Sequence, residues 1–220
     1  MGAGGEGLPG RFPIFPLRGA LLLPGGSLPL NIFEPRYLQM VRDAMQTDRV
    51  IGMVQPRAGL AERGGADMGA ADVYATGCAG RITTFEETPD GRYLIVLAGL
   101  VRFDVVREVE TDAPYREIEA SFERWRGDLG PAGLPEGFKP ELVAALRVYF
   151  ARQDFEVDWE AVETAPLPGL VTSLAMICPF EPNEKQALLE APDLEAQGRM
   201  LVALMQMSAL DTDAASVKCH

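Results

Sequence analysis

The sequence predicts an α+β fold in which a β-rich stretch precedes a helical one. Three observations carry this. From Arg11 to about Glu123, short β-favouring runs alternate with Gly, Pro and Asp. Residues 126–140, RGDLGPAGLPEGFKP, have the composition of a linker. Beyond them the apolar period becomes helical. Strands first and helices afterwards mean one α+β domain, or a β domain followed by a helical one. At 220 residues either is possible.

In chain order, residues 1–10 are Gly-rich and read as a disordered tail. Residues 11–125 form the β domain, with strands expected in FPIFPL, SLPLNIF, RVIGMVQ, VYATGCAGRITTF, RYLIVLAGLVRFDVV and YREIEASF. Prolines 13, 16, 24 and 29 restrict the first strands to edges or bulges. The small-residue run from Pro56 to Asp72 is a loop without period. Thr88-Pro89-Asp90-Gly91 is a turn, proline suiting its fixed φ and glycine its exit, which makes Arg81–Glu87 and Arg92–Leu97 a hairpin.

After the 126–140 linker, residues 141–211 read as a helical bundle and 212–220 as a frayed tail. PELVAALRVYFARQ places Leu142, Leu146 and Tyr149 or Phe150 on one face. VDWEAVETA is a further short helix. LPGLVTSLAMIC is apolar nearly all round and is expected to be buried. Pro182 suits the start of PNEKQALLEA, and Asp193 caps the last helix, where Leu194, Met200, Leu201, Leu204 and Met205 form an apolar stripe. Met200, Met205 and Met207 suit burial in the bundle, with an adaptable contact surface as the other use.

Composition excludes several classes. The apolar runs Ala20–Pro24 and Tyr93–Val101 are too short to span a bilayer. The N-terminus has no cationic segment and no apolar core, so it is not read as a secretory signal, and a cytoplasmic protein is expected. Three cysteines, widely spaced, argue against a disulfide framework; Cys78 and Cys178 read as small core residues. The net charge is −12 and uneven. Residues 11–124 hold 13 Lys and Arg against 16 Asp and Glu, whereas residues 126–213 hold 6 against 15. This balance opposes phosphate binding, so no nucleic-acid or membrane partner is expected.

Familiar catalytic constellations are missing. The single histidine is His220, so no internal Ser-His-Asp or Cys-His pair exists. None of Lys139, Lys185 and Lys218 follows a glycine, so there is no phosphate-binding loop. Gly25–Pro29, GGSLP, resembles a nucleophile elbow but precedes a strand. Gly2–Gly7 fits G-x-G-x-x-G without a strand before it. Glu86 with Glu87, and Asp158 with Glu160, read as solvated carboxylates. No metal and no cofactor are expected, since Cys219-His220 alone gives two ligands that nothing fixes.

The order FPLRGALLLPGGSLPLNIFEPRY, GCAGRITTF, DGRYLIVLAGLVRF, LVTSLAMICPFEPNEKQALLEA resembles the Lon protease N-terminal, or LON substrate-binding, domain, over residues 12–211. The resemblance implies a PUA-like, mainly antiparallel β-barrel followed by an α-helical bundle. It also implies a stand-alone bacterial form lacking the ATPase and protease modules, and a role in engaging protein substrates.

One stretch stays open between two readings. In NIFEPRYLQM the strand ends near Phe33, Pro35 opens a helix, and Glu34 is favoured at its N-terminus. Tyr37, Met40, Val41 and Ala44 then pack on the barrel. On the hinge reading Glu34 caps, Arg36 pairs with a carboxylate, and Phe33 and Tyr37 are core or rim. On the binding reading Phe33, Glu34, Arg36 and Tyr37 edge a groove for an extended peptide, since aromatic and Arg side chains suit such sites. The leading function is a non-enzymatic module binding a protein or an unfolded polypeptide. RNA binding is the second class, because other PUA-like barrels bind RNA and Arg11, Arg18, Arg36, Arg42, Arg81, Arg92, Arg102 and Arg107 could cluster. An enzyme built around Glu34, Tyr37 or Asp104 is the third.

Overall fold

Thr88 and Gly91 make the turn that organises the β half. The Gly91 N–H donates to the Thr88 carbonyl at 2.9 Å, and Gly91 takes a φ of 82°, which glycine adopts without strain. This computed structural model describes residues 7–57, 72–131, 133–151 and 157–217, with side chains followed to Ser208. The opening through Glu6, residues 58–71, where a loop is expected, and Lys218, Cys219 and His220 lie outside the described residues. The chain divides into two compact units, 1–131 and 132–220.

The first unit contains β1 (Arg11–Pro16), β2 (Ser27–Ile32), α1 (Pro35–Met45), β3 (Val50–Val54), β4 (Thr76–Glu87), β5 (Tyr93–Val109) and β6 (Glu117–Ser121). The sheet order is β2-β5-β4-β3-β1-β6, and β6 pairs back onto β5. The path β5-β4-β3-β1-β6 therefore closes into a barrel. Closure depends on the length of β5: residues 93–98 pair with β2 and residues 104–109 with β6. Register shifts in β4 at Ala79/Gly80 and Ile82/Thr84 supply the bend. All pairs are antiparallel except β1 with β3. At Gly99 the loop before β2 crosses β5 so closely that a methyl group would run into the Leu23 carbonyl.

The prolines sit differently from the expectation. β2 is an end strand, as Pro29 suggests, but β1 has a neighbour on each side. The explanation is a division of β1 along its length. Ile14 N–H donates to the Arg116 carbonyl beside β6, and Leu17 N–H to the Val54 carbonyl beside β3. By strand alternation, Pro13 turns its nitrogen toward the β3 side, where pairing starts only at Ile14. Pro16 turns its nitrogen toward the β6 side, where pairing has ended at Pro13. Neither proline removes a ladder bond.

Phe12, Ile14, Val50, Val54, Val101, Phe103, Ile118, Phe122 and Trp125 form the barrel core. Phe12 meets Phe103 edge-on with centroids 5.1 Å apart. Trp125 belongs to a 3-10 segment, Glu123–Leu129, which corrects the linker bounds. The segment is anchored at two points, buried Trp125 and Asp128, which pairs with buried Arg102, while Arg126, Gly127 and Leu129 are exposed.

The second unit contains α2 (Phe138–Phe150), α3 (Trp159–Thr164), α4 (Leu167–Ile177), α5 (Pro182–Glu190) and α6 (Leu194–Val217). Leu142, Leu146 and Tyr149 are buried on α2, and Leu201, Val202 and Met205 on α6. The Asp193 Oδ1 caps α6 by accepting from Ala196 N–H at 2.8 Å, and Glu181 with Glu184 forms a capping box on α5. Three bounds shift. α2 starts at Phe138, inside the expected linker. α6 runs to Val217, through part of the expected tail, where alanines favour helix. α4 buries Leu170, Val171, Leu174 and Ala175 but leaves Ile177 68% exposed, so it is not enclosed all round.

Candidate functional site

Where β2 gives way to α1, four consecutive side-chain environments differ sharply. Ile32 closes the strand inside the core, at 2% exposure, and Phe33 follows at 63%. Glu34 is extended, with φ −72° and ψ 132°, and Pro35 begins the helix behind it. The Glu34 carbonyl accepts from Tyr37 N–H and Leu38 N–H, both at 2.9 Å, closing the first turn.

The Glu34 carboxylate does not cap the helix, contrary to the hinge reading. Its Oε2 instead accepts from Arg36 Nε at 3.0 Å and Nη2 at 2.8 Å. A forked guanidinium two residues away satisfies that oxygen better than a single amide. Arg36 then lies over the Tyr37 ring, 4.6 Å from its centroid. Tyr37 is buried and packs on Phe15 with centroids 4.3 Å apart. Burial pushes its hydroxyl above the ordinary range; Arg36 opposes this, Glu34 adds to it, and Arg116 opposes it. Phe33 is thus an exposed aromatic on a braced mount, while Tyr37 is core.

Beside it lies an outward sheet face. Asn31 of β2 stands opposite Leu94 of β5, and Leu94 opposite Glu86 of β4. Leu94 is 40% exposed, and Pro29, Asn31 and Glu86 are exposed as well. This face was missed in the sequence because β5 is apolar on both sides. Tyr93, Ile95 and Leu97 are interior, whereas Leu94, Val96 and Ala98 are outward. Only the pairing with β2 and β4 tells them apart.

The other candidates are engaged. Asp104 accepts from Thr76 Oγ1 at 2.9 Å and lies 3.7 Å from Arg124. Ser27 begins β2 and not a helix. Asp158 caps α3 through Ala161 N–H, at 3.0 Å. Of the eight arginines considered for RNA, Arg11, Arg36, Arg92, Arg102 and Arg107 are ion-paired with Glu117, Glu34, Asp90, Asp128 and Glu119. Arg42 Nε donates to the Tyr93 hydroxyl at 2.7 Å. Cys78 and Cys178 are buried and unbridged. Among the described residues no group of three or more His, Cys, Asp or Glu is placed to hold a metal. Among them, too, no helix is long and apolar enough to cross a membrane.

Comparison with known proteins places this architecture. The family model described as the ATP-dependent protease La (LON) substrate-binding domain matches residues 11–207. Lon protease 2 of Myxococcus xanthus is 31% identical over 208 residues, 91% of this chain and 24% of that protein. Lon protease of Anaeromyxobacter dehalogenans is 30% identical over 210 residues, 91% and 23% respectively. The chain therefore spans about a quarter of the length of these relatives. The crystal structure of a Lon N-terminal domain protein from Xanthomonas campestris aligns with a TM-score of 0.59 and 26% identity, covering 88% of this chain and 97% of that one. The N-terminal domain of a Mycobacterium avium complex Lon protease shares the fold, with a TM-score of 0.62, 14% identity, and coverage of 89% and 98%.

Proposed function

This chain belongs to the LON substrate-binding domain family, and on that premise we propose that it is a non-catalytic recognition module for exposed apolar segments of unfolded polypeptides. The observation that carries the reading is Phe33: a large aromatic, 63% exposed, on a junction that Ile32, Pro35 and the Glu34–Arg36 pair hold in place. The backbone that carries the ring is already fixed by the strand–helix junction, so little backbone freedom is lost on binding. Leu94 and Pro29 extend the apolar area beside it.

The chemistry available supports binding over turnover. At the junction the Glu34 carboxylate accepts from Arg36, and Asp104, ten residues beyond Leu94 along β5, accepts from Thr76 and faces Arg124. RNA binding is the weaker reading, because most of the arginines that would meet phosphate already face carboxylates. A cytoplasmic setting, with buried unbridged Cys78 and Cys178, fits the module.

Fluorescence anisotropy of a labelled, permanently unfolded polypeptide, titrated with the purified protein at two salt concentrations, tests the proposal. Saturable binding that survives high salt is expected. No binding at either salt overturns it and points to a folded partner.

A further inference from the structure

β2 stands at the end of the sheet order and pairs with β5 alone among the described residues. The hydrogen bonds at its start establish which backbone groups face outward. Gly99 N–H donates to the Gly26 carbonyl at 2.8 Å, and Gly25 N–H to the Gly99 carbonyl at 2.9 Å. With Ser27 opposite Ala98 and Leu28 opposite Leu97, antiparallel alternation turns the backbone of Leu28, Leu30 and Ile32 toward β5. It turns that of Ser27, Pro29 and Asn31 away. Pro29, with no N–H to offer, sits where β5 loses nothing. The N–H groups of Ser27 and Asn31, with the carbonyls of Ser27, Pro29 and Asn31, make no bond on that side among the described residues.

Strand edges are commonly guarded by charge, and lysine in particular. SLPLNI carries none, and Pro29 is its single interruption. Exposed Phe33 follows the strand directly, and the row Asn31–Leu94–Glu86 leads from its edge across the sheet. Glu86 and Glu87 have no ion pair among the described residues, and residues 11–124 are net negative, with 13 Lys and Arg against 16 Asp and Glu. A second copy brings the same charge and is repelled, whereas a cationic segment is attracted.

Resting on the recognition reading above, we propose that the open edge of β2 receives an extended polypeptide as an added strand, apolar at alternate positions and flanked by Lys or Arg. The incoming backbone exchanges hydrogen bonds with Ser27 and Asn31 and accepts none at Pro29. Its outward apolar side chains lie beside Pro29 and Phe33. Main-chain pairing supplies affinity for many sequences, and the alternate side chains and flanking charge supply preference.

The probe is a labelled peptide of alternating Val and Thr flanked by lysines, with a glutamate-flanked counterpart. The lysine form is expected to bind at least tenfold tighter. Asn31→Pro removes an outward N–H while leaving the β5 ladder intact, and is expected to weaken binding at least tenfold with an unchanged melting temperature. Amide hydrogen exchange on the unaltered protein reads the same contact without a variant: Ser27 and Asn31 should slow when the peptide is added. Binding without that protection, or equal affinity for both flanks, overturns strand addition and leaves the recognition reading standing. Failure to bind any unfolded chain overturns both. A dimer that Asn31→Pro dissolves means that a second copy occupies the edge, and also overturns the proposal.

Discussion

Arg102 and Asp128 lock a turn onto the barrel wall. Arg102 Nη2 donates to Asp128 Oδ1 at 2.6 Å, Nε donates to Oδ2 at 2.9 Å, and the Arg102 backbone N–H donates to the same Oδ2 at 3.0 Å. Both side chains are buried, and the guanidinium lies 3.9 Å from the Trp125 ring centroid. Removing one member leaves a buried charge without its partner. Asp128→Ala is expected to lower the unfolding free energy by about 3–5 kcal/mol, read by urea titration. Replacing both residues with apolar ones of similar volume should recover much of that loss.

The two aromatics of the junction should separate by stability. Tyr37→Ala empties a core position against Phe15 and should cost about 3–5 kcal/mol. Phe33→Ala removes an exposed ring and should stay within about 0.5 kcal/mol of the parent. Thermal and urea unfolding of the two variants, compared directly, check this; a large loss for Phe33→Ala would make it a structural residue.

Alkaline pH should expose Tyr37. Its hydroxyl is raised above 10.0, chiefly by burial, so the folded chain holds that proton more tightly than the unfolded chain. The stabilisation is complete below the unfolded value and is lost as pH rises through the folded one. Urea midpoints measured upward from about pH 9 should therefore fall, and fall less in Tyr37→Phe. Equal slopes in both proteins would contradict the assignment.

Thiol reactivity is the fourth expectation. Burial raises the Cys78 thiol, with Asp128 adding and Arg102 opposing, and pushes Cys178 up to about 12 against the pull of Lys185. In a Cys219→Ser background, a thiol reagent should label neither residue until the chain unfolds. Prompt labelling at neutral pH would show that these interiors open.

How much of this was legible beforehand depends on the range of the interactions. The spacing of Tyr37, Met40, Val41 and Ala44 marked the buried face of α1, and Pro-Asp-Gly marked the β4–β5 turn, because both are local. Barrel closure was not local: β6 returns to β5, and β5 is apolar on both faces, so no period separates inside from outside. The linker was misread for a similar reason. Its Gly and Asp suggested a free segment, yet Asp128 is held by Arg102, 26 residues earlier. A tryptophan just before such a stretch was the available sign that it is packed. At the junction, helical spacing marked Tyr37 as packed, but nothing in the sequence put Phe33 in water; only the end of β2 at Ile32 does so.

The most direct measurement is polypeptide binding by Phe33→Ala beside the parent protein, by anisotropy at low and high salt. Parent binding that persists at high salt, weakened at least tenfold by the variant with its stability intact, is the expected result. Equal binding by both proteins, or binding that salt abolishes, would contradict recognition through this apolar junction.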